Sequence, residues 1–224
     1  MIRRLKRRLP YLASTPLDYY DVTWFLFAAG VLGLALHLAV VTRWLPQTAL
    51  THPSLLLQAA IMSALIFALP LIVKVRGRAS PWAELGWRST LPRHFAVALL
   101  AGLLMALAII VVVWTSYPVI PNIPLGVGVL LAVVLGPVLE ESLFRGCLLP
   151  VLSRSLGLAG AVIVTSLLFG LLHHPPTILH YACFTLAGIA YAWIRITSQS
   201  TAPATLMHAT HNLALLLWPR FGPH

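Results

Sequence analysis

Long uninterrupted apolar runs constrain this chain more than any other feature of its sequence. Seven of them approach the length of about 20 residues that a helix needs to cross a bilayer. They cover Val22–Val41, Leu55–Val73, Phe95–Thr115, Leu125–Leu152, Leu158–Leu172, Ile178–Ile196 and Ala202–Trp218. Only 9% of the residues are charged, whereas soluble domains carry roughly 25%. The sequence therefore predicts an all-α, polytopic membrane protein of about seven transmembrane helices, because a helix satisfies its backbone polar groups internally.

The positions of the basic residues predict the orientation of the chain. Its net charge is +10, but Lys and Arg lie mainly in the loops, which argues against a nucleic-acid partner. With a cytosolic N-terminus, twelve of the fifteen Lys and Arg residues fall on the cytosolic side, two fall on the other side, and Arg145 lies inside a span. Such an asymmetry is typical of the positive-inside rule. A small chain of this kind suits a prokaryotic inner membrane.

Three ionisable residues, Glu140, Glu141 and Arg145, lie within the apolar run Leu125–Leu152. A charged side chain at membrane depth costs about 2.5–3.5 kcal/mol on insertion scales and usually marks a functional site. Glu141 and Arg145 are four residues apart and are expected to pair on one helix face. Glu140 points about 100° away, which leaves it free to face a cavity. A buried ion pair that only locks two helices together is the structural alternative.

His173 follows on the next span. If the chain reverses near Ser155–Gly157, a rise of about 1.5 Å per residue places Glu140 and His173 roughly 24 and 26 Å from the turn. An antiparallel helix pair would therefore bring the carboxylate and the imidazole to the same level.

The last span contributes His208 and Asn212, which are four residues apart and project from one helix face. His211 could join this face or contact a neighbouring helix. The remaining candidates, which have no comparable spacing and are interpreted as structural, are His37, His52, His174 and His180.

These residues form three ordered motifs: Glu140-Glu141-x-x-x-Arg145, Phe169-x-x-x-His173 and His208-x-x-x-Asn212. In this order, the chain resembles the CAAX protease and bacteriocin-processing (CPBP) family of intramembrane endopeptidases, also called the Abi family. The resemblance covers roughly the last 100 residues. Members of the family can have eight helices, which would require a short extra helix near Pro10–Tyr20 or a broken helix near Pro175-Pro176.

The resemblance implies hydrolysis of a peptide bond within the membrane, in a membrane-associated peptide or protein. Glu140 and His173 would activate a water molecule, since a carboxylate beside an imidazole can take its proton. His208 and Asn212 would stabilise the oxyanion, and Glu141 with Arg145 would position Glu140. We interpret residues 1–224 as one membrane domain, with a basic cytosolic N-terminus (1–21), accessory helices (22–115) and catalytic helices (124–218).

Two alternatives remain open at this point. Glu140, His173 and His208 could instead ligate zinc, as two His and one Glu do in some catalytic sites. The zinc-protease signature His-Glu-x-x-His is absent from the sequence. We therefore favour a mechanism without an obligatory metal. The second functional class is a non-catalytic membrane protein on the same fold, either an immunity or scaffold factor or a small-molecule transporter. No feature of the sequence favours a prenylated substrate over other membrane peptides.

Overall fold

The computed structural model describes residues 17–42, 55–77, 80–113, 124–173 and 176–221. Every regular element in these ranges is a helix, which confirms the all-α prediction. The helices are α1 (Tyr19–Val41), α2 (Leu55–Val75), α3 (Pro81–Glu84), α4 (Pro92–Val113), α5 (Leu125–Gly128), α6 (Gly136–Glu141), α7 (Leu149–Leu172), α8 (Ile178–Ser198) and α9 (Thr201–Phe221). Two π-helical segments, Val129–Leu135 and Ser142–Leu148, join α5, α6 and α7 into one run.

Four stretches of the described chain are long and apolar enough to cross a membrane. They are Tyr19–Leu36, Leu57–Val75, Pro92–Val112 and Leu125–Leu172. They support an integral membrane protein, while the count of seven spans and the cytosolic N-terminus stay predictions. Most of the region considered for an extra helix, residues 10–16, lies outside the described residues, as does Pro175 at the considered break.

The chain reverses direction at Gly157, inside the segment Leu149–Leu172. Gly157 has φ 74° and ψ 168°, a conformation that glycine adopts readily because it lacks a Cβ. A straight helix would separate Glu140 and His173 by about 50 Å, yet Glu140 Oε2 and His173 Nε2 lie 3.6 Å apart. The chain thus reverses within Ser155–Gly157, the position assumed when the two residues were expected to lie level, and the reversal creates two antiparallel arms.

Glycines allow the helices that carry the polar residues to approach closely. A Cβ on Gly102 of α4 would lie 2.6 Å from the Met207 carbonyl oxygen of α9. A Cβ on Gly188 of α8 would lie 3.0 Å from Ser166 Cα of α7. Close backbone packing of this kind is a main source of helix association in a bilayer, where apolar burial gives little preference for protein over lipid. These contacts hold α9 against α4 and α8 against the second arm of α7.

The loop that carries α3 connects the start of α9 to the helical run from Leu125 to Leu148, which contains both glutamates and is called the acidic helix below. Thr201 Oγ1 donates to the Leu85 carbonyl oxygen over 2.7 Å. Trp87 Nε1 donates to Ser142 Oγ over 2.9 Å, and Ser142 directly follows Glu141. The loop therefore fixes the position of α9 relative to the two glutamates.

Candidate active site

Glu140 and Glu141 lie at the end of α6, between the two π-helical segments. The Gly136 N–H bonds to the Leu131 carbonyl oxygen, five residues earlier. In the same register the next donor would be Pro137, which has no N–H, so the Ala132 carbonyl needs a donor from elsewhere. Asn212 Nδ2 of α9 supplies it over 2.8 Å. Distortions of this kind are frequent at functional sites, and here the distortion recruits a predicted site residue.

Glu140 faces His173 across the two arms, with the 3.6 Å separation given above. The two side chains are 28% and 27% exposed, respectively. His173 Nδ1 lies 2.7 Å from the Phe169 carbonyl oxygen. Because a carbonyl only accepts, Nδ1 must carry the proton, and Nε2 is the nitrogen turned to Glu140. Phe184 stacks on the His173 ring at 4.5 Å and holds its plane.

This geometry is suited to binding a water molecule. In neutral His173, Nε2 is an acceptor and would face another acceptor on Glu140. Two acceptors at this distance need a proton or a shared donor between them, and a bridging water provides one. The Glu140–His173 pair can therefore orient a water and accept its proton.

Glu141 is completely buried and has two partners on different helices. Its Oε1 accepts from Arg145 Nη1 over 3.3 Å and from His208 Nδ1 over 3.0 Å. Arg145 is also completely buried, and its Nη2 donates to the Gly188 carbonyl oxygen over 2.7 Å. The predicted pairing of Glu141 with Arg145 is therefore present, and the pair also anchors α8 and α9.

The contact with Glu141 constrains the chemistry of His208. An ionised carboxylate only accepts, so His208 Nδ1 must carry a proton. Neutral His208 would then present Nε2 as an acceptor. His208 can donate from Nε2 to an oxyanion only when that nitrogen carries a proton as well.

Tyr191 of α8 determines the plane of the His208 ring. The two rings stack with centroids 4.6 Å apart and an angle of 16°. The Tyr191 hydroxyl lies 2.6 Å from His211 Nδ1. All three side chains are buried. His211 therefore contacts a neighbouring helix, which was one of its two predicted positions, and lies behind His208.

A cavity of about 380 Å³ opens beside Glu140. Glu140 and Asn212 reach it from α6 and α9, and Gln58 and Met62 reach it from α2. Glu140 is the one charged residue that lines it in the described part of the chain. Glu140, which its position on the helix left free to face a cavity, therefore lines one.

The six predicted site residues are thus brought together as the pair Glu140–His173, the trio of Glu141 with Arg145 and His208, and Asn212 at the cavity, while their catalytic roles stay predictions. His208 and Asn212 project from one face of α9 but bond to different parts of the acidic helix, since one turn separates them. Sequence reasoning missed Tyr191, Gln58 and Met62, for which a polar or soft side chain within an apolar run was the only signal.

The other histidines have ordinary positions where they are described. His180 Nδ1 lies 2.7 Å from Thr177 Oγ1 at the start of α8, which agrees with a structural role. His52 and His174, and the side chain of His37, lie outside the described residues.

The alternative zinc ligands Glu140, His173 and His208 do not converge on one point. Over the described ranges, no group of three or more His, Cys, Asp or Glu side chains could hold a metal ion. His208 is instead turned to Glu141, which is paired with Arg145. The side chains as placed do not fit a three-ligand metal centre.

Residues 122–214 match the family model described as Rce1-like, type II CAAX prenyl endopeptidase Rce1-like. The chain is therefore similar to this family over residues 122–214, called the Rce1-like segment below. This segment contains all six site residues, and the match confirms the resemblance that the three motifs predicted. No curated protein and no solved structure matches the chain.

The Rce1-like family implies a peptidase and suggests an intramembrane CAAX-type endopeptidase. The Rce1-like segment includes α5 to α8 and most of α9. Helices α1 to α4 lie before it, so Gln58 and Met62 reach the cavity from outside the matched region.

Proposed function

We propose that this chain is an intramembrane endopeptidase in which Glu140 is the general base. One observation carries the proposal: Glu140 lines a cavity and faces Nε2 of the His173 imidazole at 3.6 Å. A carboxylate inside an apolar helix is costly, and Arg145 pairs with Glu141 rather than with Glu140. It is therefore available for a water and a substrate.

The reaction would begin with a water bound by Glu140 and His173. As the water oxygen attacks the carbonyl carbon of the scissile peptide bond, its proton passes to Glu140. Glu140 then delivers this proton to the leaving nitrogen as the C–N bond breaks, which releases an amine and a carboxylic acid and restores the carboxylate. General base catalysis of this type contributes roughly 10²–10⁴-fold to the rate.

The tetrahedral intermediate needs donors for its oxyanion. His208, as an imidazolium held by Glu141, would donate from Nε2. Asn212 uses one N–H for Ala132 and has a second N–H to offer from the cavity wall. Removing one such donor typically costs about 10²–10³ in kcat.

The Glu141–Arg145 pair would act indirectly. Arg145 fixes Glu141, and Glu141 in turn fixes His208 and the helical turn that carries Glu140. We assign both residues a positioning role.

The substrate would be a membrane-associated peptide or protein that reaches the cavity from the bilayer. The family description names CAAX prenyl endopeptidases, so a peptide with a prenylated cysteine followed by three residues is the natural first probe. An unprenylated version of the same peptide tests whether the lipid is recognised.

The proposal is tested with the purified full-length protein in lipid vesicles. We expect cleavage of an internally quenched prenylated peptide, with one new terminus identified by mass spectrometry. Glu140→Gln should give no product, and Glu84→Gln, the same change in the α3 loop, should retain activity. A second measurement compares the membrane proteomes of cells that carry the wild type and cells that carry Glu140→Gln. If the wild type cleaved neither peptide and the two proteomes were indistinguishable, the non-catalytic alternative would replace the peptidase.

A further inference from the structure

Small residues form a line that leads along the acidic helix to Glu140. Gly128, Ala132, Gly136 and Glu140 recur every four residues, and all four line the cavity. Residues four apart lie on one helix face. At the α-helical rise of 1.5 Å per residue, the line from Gly128 to Glu140 is at most about 18 Å long, since Val129–Leu135 is π-helical and more compressed along the axis. The cavity is therefore an elongated cleft with the carboxylate at one end.

Gly136 keeps the approach to the carboxylate open. A Cβ at this position would lie 3.0 Å from the Leu131 carbonyl oxygen and 3.6 Å from Glu140 Oε1. A side chain here would occupy the space directly beside the acidic group. The floor of the cleft thus consists of backbone and small side chains, which leave room for an occupant.

Helix α2 forms one wall of this cleft. Gln58 and Met62 are four residues apart, so they share a helix face, and both line the cavity. Met62 Cε lies 3.5 Å from the position of a Cβ on Gly136, so α2 reaches the floor one turn before Glu140. Asn212 and Leu215 form the opposite wall on α9.

The lining of the cleft favours an extended peptide over a helical one. A helix uses its backbone N–H and C=O groups internally, whereas an extended chain can present them to polar groups on the walls such as the Asn212 amide. An extended chain spans about 3.3–3.6 Å per residue, so about five residues would follow the line.

The charges of the cleft restrict the side chains of that peptide. Glu140 is the one charged residue among the described lining residues, so an acidic side chain would be repelled near it. The amides of Gln58 and Asn212 can donate to and accept from a peptide backbone. The other lining residues are apolar or lack side chains.

We propose that this cleft binds the substrate as an extended, uncharged peptide segment on one side of the scissile bond, and that Gln58 and Met62 determine which residues it accepts. This inference rests on the proposed peptidase function. It assigns substrate selection to α2, a helix outside the Rce1-like segment, and catalysis to the helices within it.

The first test compares substrate preference among variants of the full-length protein in vesicles. The probes are prenylated peptides that differ only in Asp, Asn, Leu or Ala at residues flanking the scissile bond. The wild type should cleave the Asp peptides at least about tenfold less efficiently than the Asn peptides, since like charges placed together are strongly disfavoured. Met62→Ala should enlarge the cleft and so raise the ratio of kcat/KM for the Leu peptides to kcat/KM for the Ala peptides by about tenfold. Gln58→Leu should raise KM with kcat nearly unchanged, as expected for lost uniform binding.

Leu71→Ala is the matched control, because Leu71 lies on the opposite face of α2 and is 58% exposed. It should leave the ranking of peptides unchanged. If all variants ranked the peptides as the wild type does, selection by α2 would be wrong while the peptidase function stood. If the wild type cleaved none of the peptides, the proposed peptidase function would be refuted before selection by α2 could be tested.

A second test needs no turnover. The photoreactive residue p-benzoylphenylalanine is placed at position 62 or position 71 of Glu140→Gln protein, with a biotin-labelled form of the prenylated peptide as the probe. We expect crosslinking from position 62 and none above background from position 71. An active wild type whose position 62 never crosslinks to the peptide would overturn the cleft assignment.

Discussion

His208 Nδ1 donates to Glu141 Oε1 over 3.0 Å, although 67 positions of sequence separate the two residues. The adjacent Glu140 faces a different histidine, His173, from a different helix. The two carboxylates are neighbours in sequence, yet one is completely buried and shared between Arg145 and His208, and the other lines a cavity. Their substitution should therefore have different consequences.

Loss of either member of the Glu140–His173 pair should abolish cleavage without unfolding the protein. We expect Glu140→Ala and His173→Gln each to lower kcat by about 10²–10⁴-fold, because neither is needed to satisfy a buried charge. Residues that act as a unit are strongly non-additive, so the double variant should be no slower than the slower single variant. Steady-state kinetics and thermal melting in detergent measure both effects. Full proteolysis by Glu140→Ala would refute the catalytic assignment.

Loss of Arg145 should instead reduce accumulation of the protein. Arg145→Met leaves Glu141 buried without its cation, which typically costs about 3–5 kcal/mol. Fluorescence-detected size exclusion after a heat step measures the folded fraction. Replacing the pair together, as Glu141→Gln with Arg145→Met, should restore much of the folded protein but not activity, since His208 loses its carboxylate. Normal accumulation of the single Arg145→Met variant would contradict this role.

Tyr191 should act through the orientation of His208. Tyr191→Phe keeps the stacked ring and removes only the hydroxyl that contacts His211, so kcat should fall little. Tyr191→Leu removes the stacking surface and should lower kcat by about tenfold or more through misorientation, with KM nearly unchanged. A purely structural role would lower the melting temperature of both variants and leave the kcat of the surviving protein unchanged.

Metal removal separates the two mechanisms that the sequence left open. Because the described side chains gather no three-ligand centre, we expect purified protein to keep its activity after treatment with EDTA or 1,10-phenanthroline. Cleavage of the prenylated peptide before and after dialysis is the measurement. Activity that disappears with chelator and returns with zinc would transfer the mechanism to a metal.

Stability should depend on acidic pH through Arg76, whose Nη1 lies 2.7 Å from Asp18 Oδ1 and from Asp21 Oδ1. The hydrogen bond from Arg76 holds the pKa of Asp18 below its usual range. A carboxyl group with a lowered folded-state pKa stabilises the protein above its unfolded pKa, about 3.9, and loses that contribution as pH falls through the folded pKa. The melting temperature of the wild type should therefore exceed that of Arg76→Gln near neutral pH, and the gap should narrow below about pH 4. A gap independent of pH would show that Asp18 is not responsible.

Local spacing predicted part of the site correctly. Glu141 and Arg145 pair because a four-residue interval on a helix leaves little choice of partner. Glu140 and His173 were expected at the same height on two antiparallel arms because each is about equally many residues from the reversal, which Gly157 provides. Both relationships depend on helical rise and on one turn.

Other contacts of the site were beyond such counting. The partner of His208 depends on the depth of the α8–α9 connection, which is only Gln199 and Ser200, with Gln199 at φ 55°. The stack of Tyr191 on His208 depends on the rotation of two helices about their axes. The position of Gln58 and Met62 at the cleft depends on how α2 packs against the acidic helix. The periodicity of the α2 sequence does not determine this packing.

By itself, the sequence determined that the chain is helical, that its long apolar runs suit a bilayer, and which few polar side chains lie within them. These properties follow from hydropathy and helical periodicity, which are local. The tertiary structure alone decided that His208 joins the Glu141–Arg145 pair and that α2 forms a wall of the cleft beside Glu140. The physical reason is that burial and partnership depend on distances between helices, and these are set by close backbone contacts such as Gly102 against α9 and Gly188 against α7.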